Sequence, residues 1–295
     1  MSSTTPFPVS SSRLPIRLIT LNVRYATKNP GPGEEPWSVR SPKLCAQLRF
    51  ITSGLDSPFV CLQEVLHSQL IDIQTRLGPT WSHIGDGRND GKQAGEFSPI
   101  FFRVDQWVCE RHKTLWLSKT PEIPSKGWDA ALNRIVTVGS FRHKSTGASV
   151  VIMSTHFDHR GKVAREESAR LLLEISRTWT KSTIPGLRTH LFLGGDFNST
   201  PSDRAYKVLT SSDLPMTDIS KLVPKEWQYG NPDITYTSFG EPDEKARTID
   251  FLFVQDTREL AFKTFGILSN RFDDLVYLSD HRAVVADIEI PIGHA

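Results

Sequence analysis

The chain of 295 residues contains only three cysteines, Cys45, Cys61 and Cys109. They are too few and too scattered for a disulfide framework or a zinc knuckle, and their apolar contexts indicate buried thiols. No apolar run approaches the roughly 18 residues that a membrane span requires. Residues 1–12 have neither a basic segment nor an apolar core, which argues against a secretion signal. We therefore predict an intracellular protein, cytoplasmic or nuclear, without membrane insertion.

The chain also lacks a large excess of positive or negative charge, because 35 Lys and Arg against 33 Asp and Glu leave a net charge of +2. With 38% hydrophobic and 23% charged residues, the composition excludes disordered, collagen-like and coiled-coil classes. It also lacks the dense positive charge of a protein that coats nucleic acid. We expect a disordered tail over residues 1–12 and a single domain over residues 13–295.

Short apolar, β-branched segments alternate with helical patterns along the chain. The segments predicted as strands are 16–23, 58–62, 98–102, 148–154, 190–193, 248–254 and 282–290. One helix is predicted to be capped by Ser41 and to end at Gly54, and a second covers 66–77. The third is predicted over Lys162–Trp179, where apolar residues recur at helical spacing. Many strands with few helices indicate packed sheets that helices cover on the outside.

Polar side chains stand at the ends or starts of six strand segments. They are Asn22, Glu64, His156, Asp196, Asn198, Asp250, Asp280 and His281. If neighbouring strands alternate in direction, ends and starts meet along one sheet edge, and one cleft receives all eight side chains. Each residue alone also fits a structural role, since a carboxylate that closes a strand is commonly a turn or cap residue. The joint occurrence is what indicates a site.

The donor atoms of these eight side chains suit a hard metal ion. Carboxylate and amide oxygens without a thiolate suit Mg²⁺, with Mn²⁺ as a substitute. Such an ion polarises a phosphoryl oxygen, a carboxylate can deprotonate a water, and an Asp–His pair can hold a charged imidazole against a phosphate. Zinc between His156 and His159 is disfavoured, because residues three apart on a strand face opposite sides. The set predicts metal-assisted hydrolysis of a phosphoester.

The same residues lie in motifs that resemble those of the endonuclease/exonuclease/phosphatase superfamily, the deoxyribonuclease I-like phosphohydrolases. The matching motifs are Thr20-Leu-Asn22, Leu62-Gln-Glu64, Ser154-Thr-His156, Gly195-Asp196-Phe-Asn198, Ile249-Asp250 and Ser279-Asp280-His281. The resemblance implies an α+β fold, a four-layer αββα sandwich in which two packed, mainly antiparallel β-sheets are flanked by helices.

The resemblance also implies roles for the site residues. Asn22 and Glu64 would lie at the Mg²⁺ site, with Glu64 the direct ligand and Asp280 near the metal. The remaining residues would act on the water and the phosphate. Asp196 would activate the water, Asn198 would contact the phosphoryl group, His281 would donate to the scissile phosphate, and His156, oriented by Asp250, would stabilise the transition state.

A second group of motifs, within residues 87–102, 124–135 and 158–161, resembles a short bacterial and fungal branch of the superfamily. Its arginines, Arg88, Arg134 and Arg160, could supply forked donors to a phosphate, or they could form structural ion pairs. Glu96 could fix an arginine or a sugar hydroxyl, because a carboxylate beside an apolar run is costly unless it is paired. Trp128 could stack on the substrate or simply pack.

The resemblance leaves the substrate open, since the superfamily acts on nucleic acids and on smaller phosphoesters. We rank phosphodiesterase or nuclease activity first. A phosphomonoesterase acting on a small phosphorylated metabolite (a nucleotide, sugar or inositol phosphate) comes second. A phosphate-binding protein without catalysis comes third, because all eight site positions are filled. Nothing in the sequence indicates a protein partner.

Overall fold

The computed structural model describes residues 13–55, 57–181, 189–231 and 233–292, and the predicted tail over 1–12 lies outside them. The helices are α1 (Trp37–Thr52), α2 (His67–Leu77), α3 (Lys162–Trp179) and α4 (Arg204–Thr210), with short 3₁₀ turns at Ile219–Lys221 and Lys225–Trp227. The strands are β1 (Arg13–Asn22), β2 (Pro58–Gln63), β3 (Trp81–Ile84), β4 (Ile100–Arg103), β5 (Trp107–Trp116), β6 (Ile135–His143), β7 (Ser149–His156), β8 (His190–Asp196), β9 (Met216–Asp218), β10 (Gln228–Gly230), β11 (Asp250–Gln255), β12 (Ala261–Ile267) and β13 (Val284–Pro291).

These strands form two mixed sheets. The first has the order β10-β12-β13-β1-β2-β4-β3, and the second has the order β5-β6-β7-β8-β11-β9. Only the pairs β1–β2, β10–β12 and β7–β8 are parallel among the described strands. Both sheets are therefore mainly antiparallel, as the motifs implied.

Each central strand buries both of its faces, because successive side chains point to opposite sides of a sheet. In β1, Ile16 and Leu18 join the core between the two sheets, whereas Ile19 and Leu21 join a second core beneath α1 and α2. A third core packs α3 and α4 against the outer face of the second sheet. The order helix, sheet, sheet, helix confirms the predicted four-layer sandwich. No helix within the described ranges is long and apolar enough to cross a membrane.

The structure corrects several local predictions. Helix α1 begins at Trp37 rather than after Ser41, because the N–H groups of Val39 and Arg40 already bond to the carbonyl of Pro36. Strands β3, β5, β6, β9, β10 and β12 were not predicted, since they are short or carry exposed polar residues. Cys109 lies on the edge strand β5 and is partly exposed rather than buried.

Two glycines set the spacing around the central strand β8, directly before Asp196. A Cβ on Gly194 would stand 3.1 Å from Cβ atoms of Thr20 and Cys61 in the opposite sheet. A Cβ on Gly195 would stand 2.5 Å from the backbone oxygen of Thr155 in β7. The missing side chains therefore let β8 lie close to its neighbours beneath the strand ends.

We expect Gly195→Ala to lower the free energy of unfolding by about 3 kcal/mol, because backbone must move to admit the methyl group. Gly31→Ala is the matched control, since its added Cβ would meet nothing closer than 3.9 Å. The control should change stability by no more than about 0.5 kcal/mol. Urea denaturation of both variants measures the difference, and equal stabilities would contradict the close approach.

Candidate active site

Strand register brings the predicted site residues together at one end of the sandwich. Parallel pairing of β7 with β8 sets His156 beside Asp196, and antiparallel pairing of β8 with β11 sets Asp250 across from Asp196. Asn22 ends β1, and Glu64 follows β2 with a left-handed backbone φ of 59°. The two sheets thus contribute polar side chains to a common floor.

Asn22 joins the two halves of this floor. Its Nδ2 donates to Oε1 of Glu64 and to Oδ2 of Asp196, at 3.0 Å in both cases. Its Oδ1 accepts from the backbone N–H of Arg24 at 2.9 Å. The second oxygen of Glu64 accepts from the backbone N–H of Tyr25 at 3.1 Å. Because its oxygen faces a backbone donor, Asn22 is oriented to position two carboxylates.

His281 is held between two buried carboxylates. Its Nδ1 lies 2.8 Å from Oδ2 of Asp250, and its Nε2 lies 3.7 Å from Oδ2 of Asp196. Burial alone would lower the pKa of His281, but the charges of these two carboxylates outweigh it and raise the pKa to about 10. His281 is therefore an imidazolium at neutral pH. Asp250 orients this ring and not His156, which corrects the partner implied by the resemblance.

His156 lies in a different environment, and its ring is neutral rather than positively charged. Its Nε2 lies 3.1 Å from Nδ2 of Asn198 and 3.4 Å from Oδ2 of Asp196, while its Nδ1 lies 3.9 Å from Oε2 of Glu96. Burial and the positive charge of Arg134 lower the pKa of His156 well below its usual range. The site therefore pairs a neutral histidine with a charged one.

Two carboxylates of the floor, those of Asp196 and Asp280, are harder to ionise than usual. Burial and the charge of Asp250 raise the pKa of Asp196 to about 7. Desolvation and the charge of Glu64 raise the pKa of Asp280. Desolvation would also raise the pKa of Glu64, but hydrogen bonds and nearby positive charges lower it. Acidic groups thus repel one another here, which favours the binding of an added cation.

A pocket of about 530 Å³ opens above this floor. Most of the residues predicted from the sequence line it: Glu64, Arg88, Glu96, Arg134, His156, Asp196, Asn198, Asp280 and His281. Asn22 and Asp250 lie behind these residues, where both are almost fully buried. Trp128 and Arg160 are not among the lining residues, because Trp128 is half-buried in a separate loop and the Arg160 side chain is exposed after Asp158.

The arginine side of the pocket is built from ion pairs. Nη1 of Arg88 donates to Oε2 of Glu96 at 2.6 Å. Nε of Arg134 lies 3.4 Å from Oδ2 of Asp158, and its Nη2 lies 3.0 Å from Nδ1 of His159. Burial and the charge of Glu64 raise the pKa of Glu96 to about 7. The two guanidinium groups are therefore held in fixed positions at the pocket wall.

The opposite wall contains residues that sequence reasoning missed. Tyr236 forms isolated bridges with Arg247 and with His281, and the Arg247 guanidinium lies 5.1 Å from the centroid of the Tyr236 ring. Arg24 and Tyr25 also line the pocket. No periodic pattern marks the irregular loop that carries Tyr236 and Arg247, and so the sequence offered no signal for them.

Two groups of residues could hold a metal ion. Ligand atoms of Asp196, Asp250 and His281 lie within 4.8 Å of one another. However, Nδ1 of His281 lies 2.8 Å from Oδ2 of Asp250, so these two groups already bond to each other. The second group is Glu64 and Asp280, which present carboxylate oxygens to the pocket. The negative charge of Glu64 makes Asp280 harder to ionise. Carboxylate oxygens are the ligands that a hard divalent ion prefers.

A model of the Endonuclease/Exonuclease/phosphatase family matches residues 19–281 of the chain. The chain belongs to this family. The family name covers endonucleases, exonucleases and phosphatases, which are enzymes that hydrolyse phosphoester bonds. Nocturnin from Mus musculus is 24% identical over 304 residues, which cover 94% of this chain and 66% of nocturnin. The chain spans between 53% and 66% of the length of the nocturnins that it matches.

Solved structures of the family share the fold over almost the whole chain. An endonuclease/exonuclease/phosphatase from Bacteroides vulgatus is 34% identical, with a TM-score of 0.79 and coverage of 94% of this chain and 99% of that one. A mannosyl-6-phosphatase from Bacteroides thetaiotaomicron is 29% identical, with a TM-score of 0.80 and coverage of 92% and 99%. The predicted membership and sandwich fold are confirmed.

The charge of His281 can be measured by NMR titration of its ring. We expect the ring to stay protonated through pH 9, because its pKa of about 10 lies above the ordinary 6.5. The stability that this ion pair contributes is complete below pH 6.5 and is lost as the pH rises toward 10. Asp250→Asn should lower the pKa of His281, because burial remains while the charge of the Asp250 carboxylate is gone and that of Asp196 is left.

The control for this titration is His83 in β3, which does not line the pocket and whose signal should not move in the variant. A His281 ring that titrates near 6.5 in the unmodified protein would contradict the assigned ion pair.

Proposed function

We propose that the protein is a Mg²⁺-dependent phosphomonoesterase that acts on a small phosphorylated metabolite such as a sugar phosphate. The observation that carries this proposal is the pocket of about 530 Å³, which places four arginines around a floor of carboxylates and histidines. A pocket of this size suits a small ligand rather than a polymer. The likeness to a mannosyl-6-phosphatase, at 29% identity over 92% of the chain, supports the same substrate class.

The size of the pocket supports ranking the monoesterase activity, which the sequence placed second, above the phosphodiesterase or nuclease activity that it placed first. A nuclease neutralises many phosphates along a strand and needs an extended basic surface. Here the arginines converge on one pocket, and Arg88 and Arg134 are already paired with Glu96 and Asp158. The net charge of +2 leaves little excess for a long groove. These features favour a single phosphate over a nucleic acid backbone.

We assign the metal site to Glu64 and Asp280, with Asn22 positioning Glu64 through its amide. The donors are oxygens only, which suits Mg²⁺, with Mn²⁺ as a substitute. The bound ion supplies charge neutralisation at the phosphoryl oxygens, as metal ions do in phosphoester hydrolysis. The same ion would relieve the repulsion that raises the pKa of Asp280.

The remaining floor residues move and hold protons. Asp196, with a pKa of about 7, is ionised in part at neutral pH and can accept a proton from the attacking water. Asn198, whose backbone N–H donates to Asp196 at 2.9 Å, keeps that carboxylate oriented and offers its amide to the phosphate. His281 donates to a phosphoryl oxygen as an imidazolium. His156 provides a neutral ring on the opposite side.

The arginine wall recognises the rest of the substrate. Arg88 and Glu96 together offer donors and an acceptor, which is what a sugar hydroxyl requires. Arg134, held by Asp158 and His159, offers a fixed guanidinium to the phosphate. We also propose that residues 13–295 form a single domain, which the family match over 19–281 supports.

Hydrolysis in Mg²⁺ is tested by release of inorganic phosphate from sugar phosphates and nucleotides, by release of p-nitrophenol from bis-p-nitrophenyl phosphate, and by the appearance of shorter fragments from RNA and DNA. We expect release from small monoesters, loss of activity in EDTA, and a fall of about 10³-fold or more in Asp196→Asn, which removes the base. Asp213→Asn, a change at an exposed carboxylate outside the pocket, is the control and should keep full activity. Cleavage of polymers alone would favour the nuclease instead.

The metal assignment is tested by calorimetric titration of the protein with Mg²⁺ in the absence of substrate. Glu64→Gln removes a charged ligand, and we expect the dissociation constant to rise by about tenfold or more. Asp250→Asn should weaken binding much less, because Asp250 faces His281 rather than the proposed metal. The opposite ranking would move the metal to the group of Asp196, Asp250 and His281.

A further inference from the structure

A buried arginine stands at the active-site end of helix α1. Arg40 has no exposed surface, although its side chain carries a charge. Its guanidinium makes four hydrogen bonds, all to backbone carbonyls: Nε donates to Glu35 at 2.9 Å, Nη1 to Val23 at 2.8 Å and to Leu278 at 2.9 Å, and Nη2 to Arg24 at 3.1 Å. Because a guanidinium is planar and rigid, it fixes these carbonyls relative to one another.

Three of these four carbonyls, those of Val23, Arg24 and Leu278, belong to the two segments that bring the proposed metal and phosphate groups into the site. Val23 and Arg24 directly follow Asn22, and Leu278 lies just before Asp280 and His281. These segments are more than 250 residues apart in sequence, and Arg40 links them directly. The Oγ of Ser279 adds a second link by donating to the backbone oxygen of Asn22 at 2.6 Å.

Arg40 also supports one wall of the pocket. The lining residue Arg24 has a left-handed backbone φ of 56°, a conformation that a non-glycine residue adopts only when its surroundings hold it there. The backbone carbonyl of Arg24 accepts a hydrogen bond from Arg40. The Nε of Arg24 donates to Glu34 at 3.1 Å. Glu34 in turn lies 4.0 Å from Nη2 of Arg40. Two arginines and one carboxylate thus form a single network behind the pocket.

We propose that Arg40 is a positioning residue for the active site, which holds the Asn22–Arg24 segment and the Asp280–His281 segment at a fixed separation. It touches neither substrate nor metal and acts only through these two segments. This role rests on the proposed function, because its kinetic consequence requires the hydrolysis described above. Its structural consequence can be measured without any substrate.

A matched control contacts the other end of α1: Arg17, which lies on strand β1. Nη1 of Arg17 donates to the carbonyl of Ile51 at 2.6 Å, and the Arg17 guanidinium pairs with both oxygens of Asp287 at 2.7 and 2.8 Å. Arg17 and Arg40 therefore both tie α1 to the first sheet. Only Arg40 does so beside the pocket, since its partner Arg24 lines the pocket whereas the partners of Arg17, Ile51 and Asp287, do not.

The experiment compares Arg40→Lys with Arg17→Lys. Lysine keeps the charge but has all its donors on one nitrogen, so it cannot reproduce the four bonds that Arg40 makes from Nε, Nη1 and Nη2. We expect Arg40→Lys to lower kcat by about 10–100-fold, with KM changed much less, because the reacting groups are displaced. Arg17→Lys should lower the free energy of unfolding and leave kcat of the folded enzyme unchanged.

Hydrogen exchange by mass spectrometry supplies the readout that needs no substrate. Peptides covering residues 22–25 and 278–281 should exchange faster in Arg40→Lys than in the unmodified protein, and should not change in Arg17→Lys. Arg40→Gln is the second variant, because its neutral amide can still donate to two carbonyls. We expect it to show the same local exchange.

Three outcomes would overturn the proposal. The first is that kcat and the hydrogen-exchange rates are unchanged in Arg40→Lys. The second is that Arg17→Lys loses as much kcat as Arg40→Lys. The third is that neither Arg40 variant folds, which would make Arg40 a residue of global stability. If the unmodified protein hydrolyses none of the substrates, the proposed function fails. Locally faster exchange in Arg40→Lys would still support the positioning role.

Discussion

The imidazolium of His281 between Asp196 and Asp250 is the interaction on which the site depends. Two carboxylates that are 1% exposed cannot both be ionised at the end of a sheet without a positive charge beside them. His281 supplies that charge, but the pKa of Asp196 is still raised to about 7. Toward the pocket, Glu64 and Asp280 add further negative charge. The fold thus tolerates repulsion among buried carboxylates, which a bound cation would offset.

The sandwich makes this cluster possible because it presents many strand ends at one place. β7 and β8 run parallel and end together, while β11 starts where β8 ends. Gly194 and Gly195 let the central strand approach both its neighbour and the opposite sheet just before Asp196. Backbone register therefore fixes the side-chain distances, and loops complete the walls. A site built on strands in this way needs little rearrangement to bind its substrate.

Much of the floor could be predicted from the sequence, because a polar residue at the end of an apolar strand is visible in the alternation pattern. The histidine that pairs with Asp250 could not be predicted, because the choice between His156 and His281 depends on how a loop from a distant part of the chain returns to β11. Tyr236 and Arg247 were missed for a similar reason, because their loop has no periodicity. Trp128 and Arg160 belong to recognisable motifs, yet tertiary packing directs both away from the pocket.

Strand β13, near the end of the chain, pairs with β1, near its start, in the middle of the first sheet. While the ribosome is still making the second half of the protein, β1 therefore has one edge without its final partner, and both of its faces are apolar. Such an edge can pair with other chains. The long sequence separation also makes this contact slow to form. This sheet therefore stays open at β1, and the nascent chain stays vulnerable to aggregation, until β13 has left the ribosome and paired with β1.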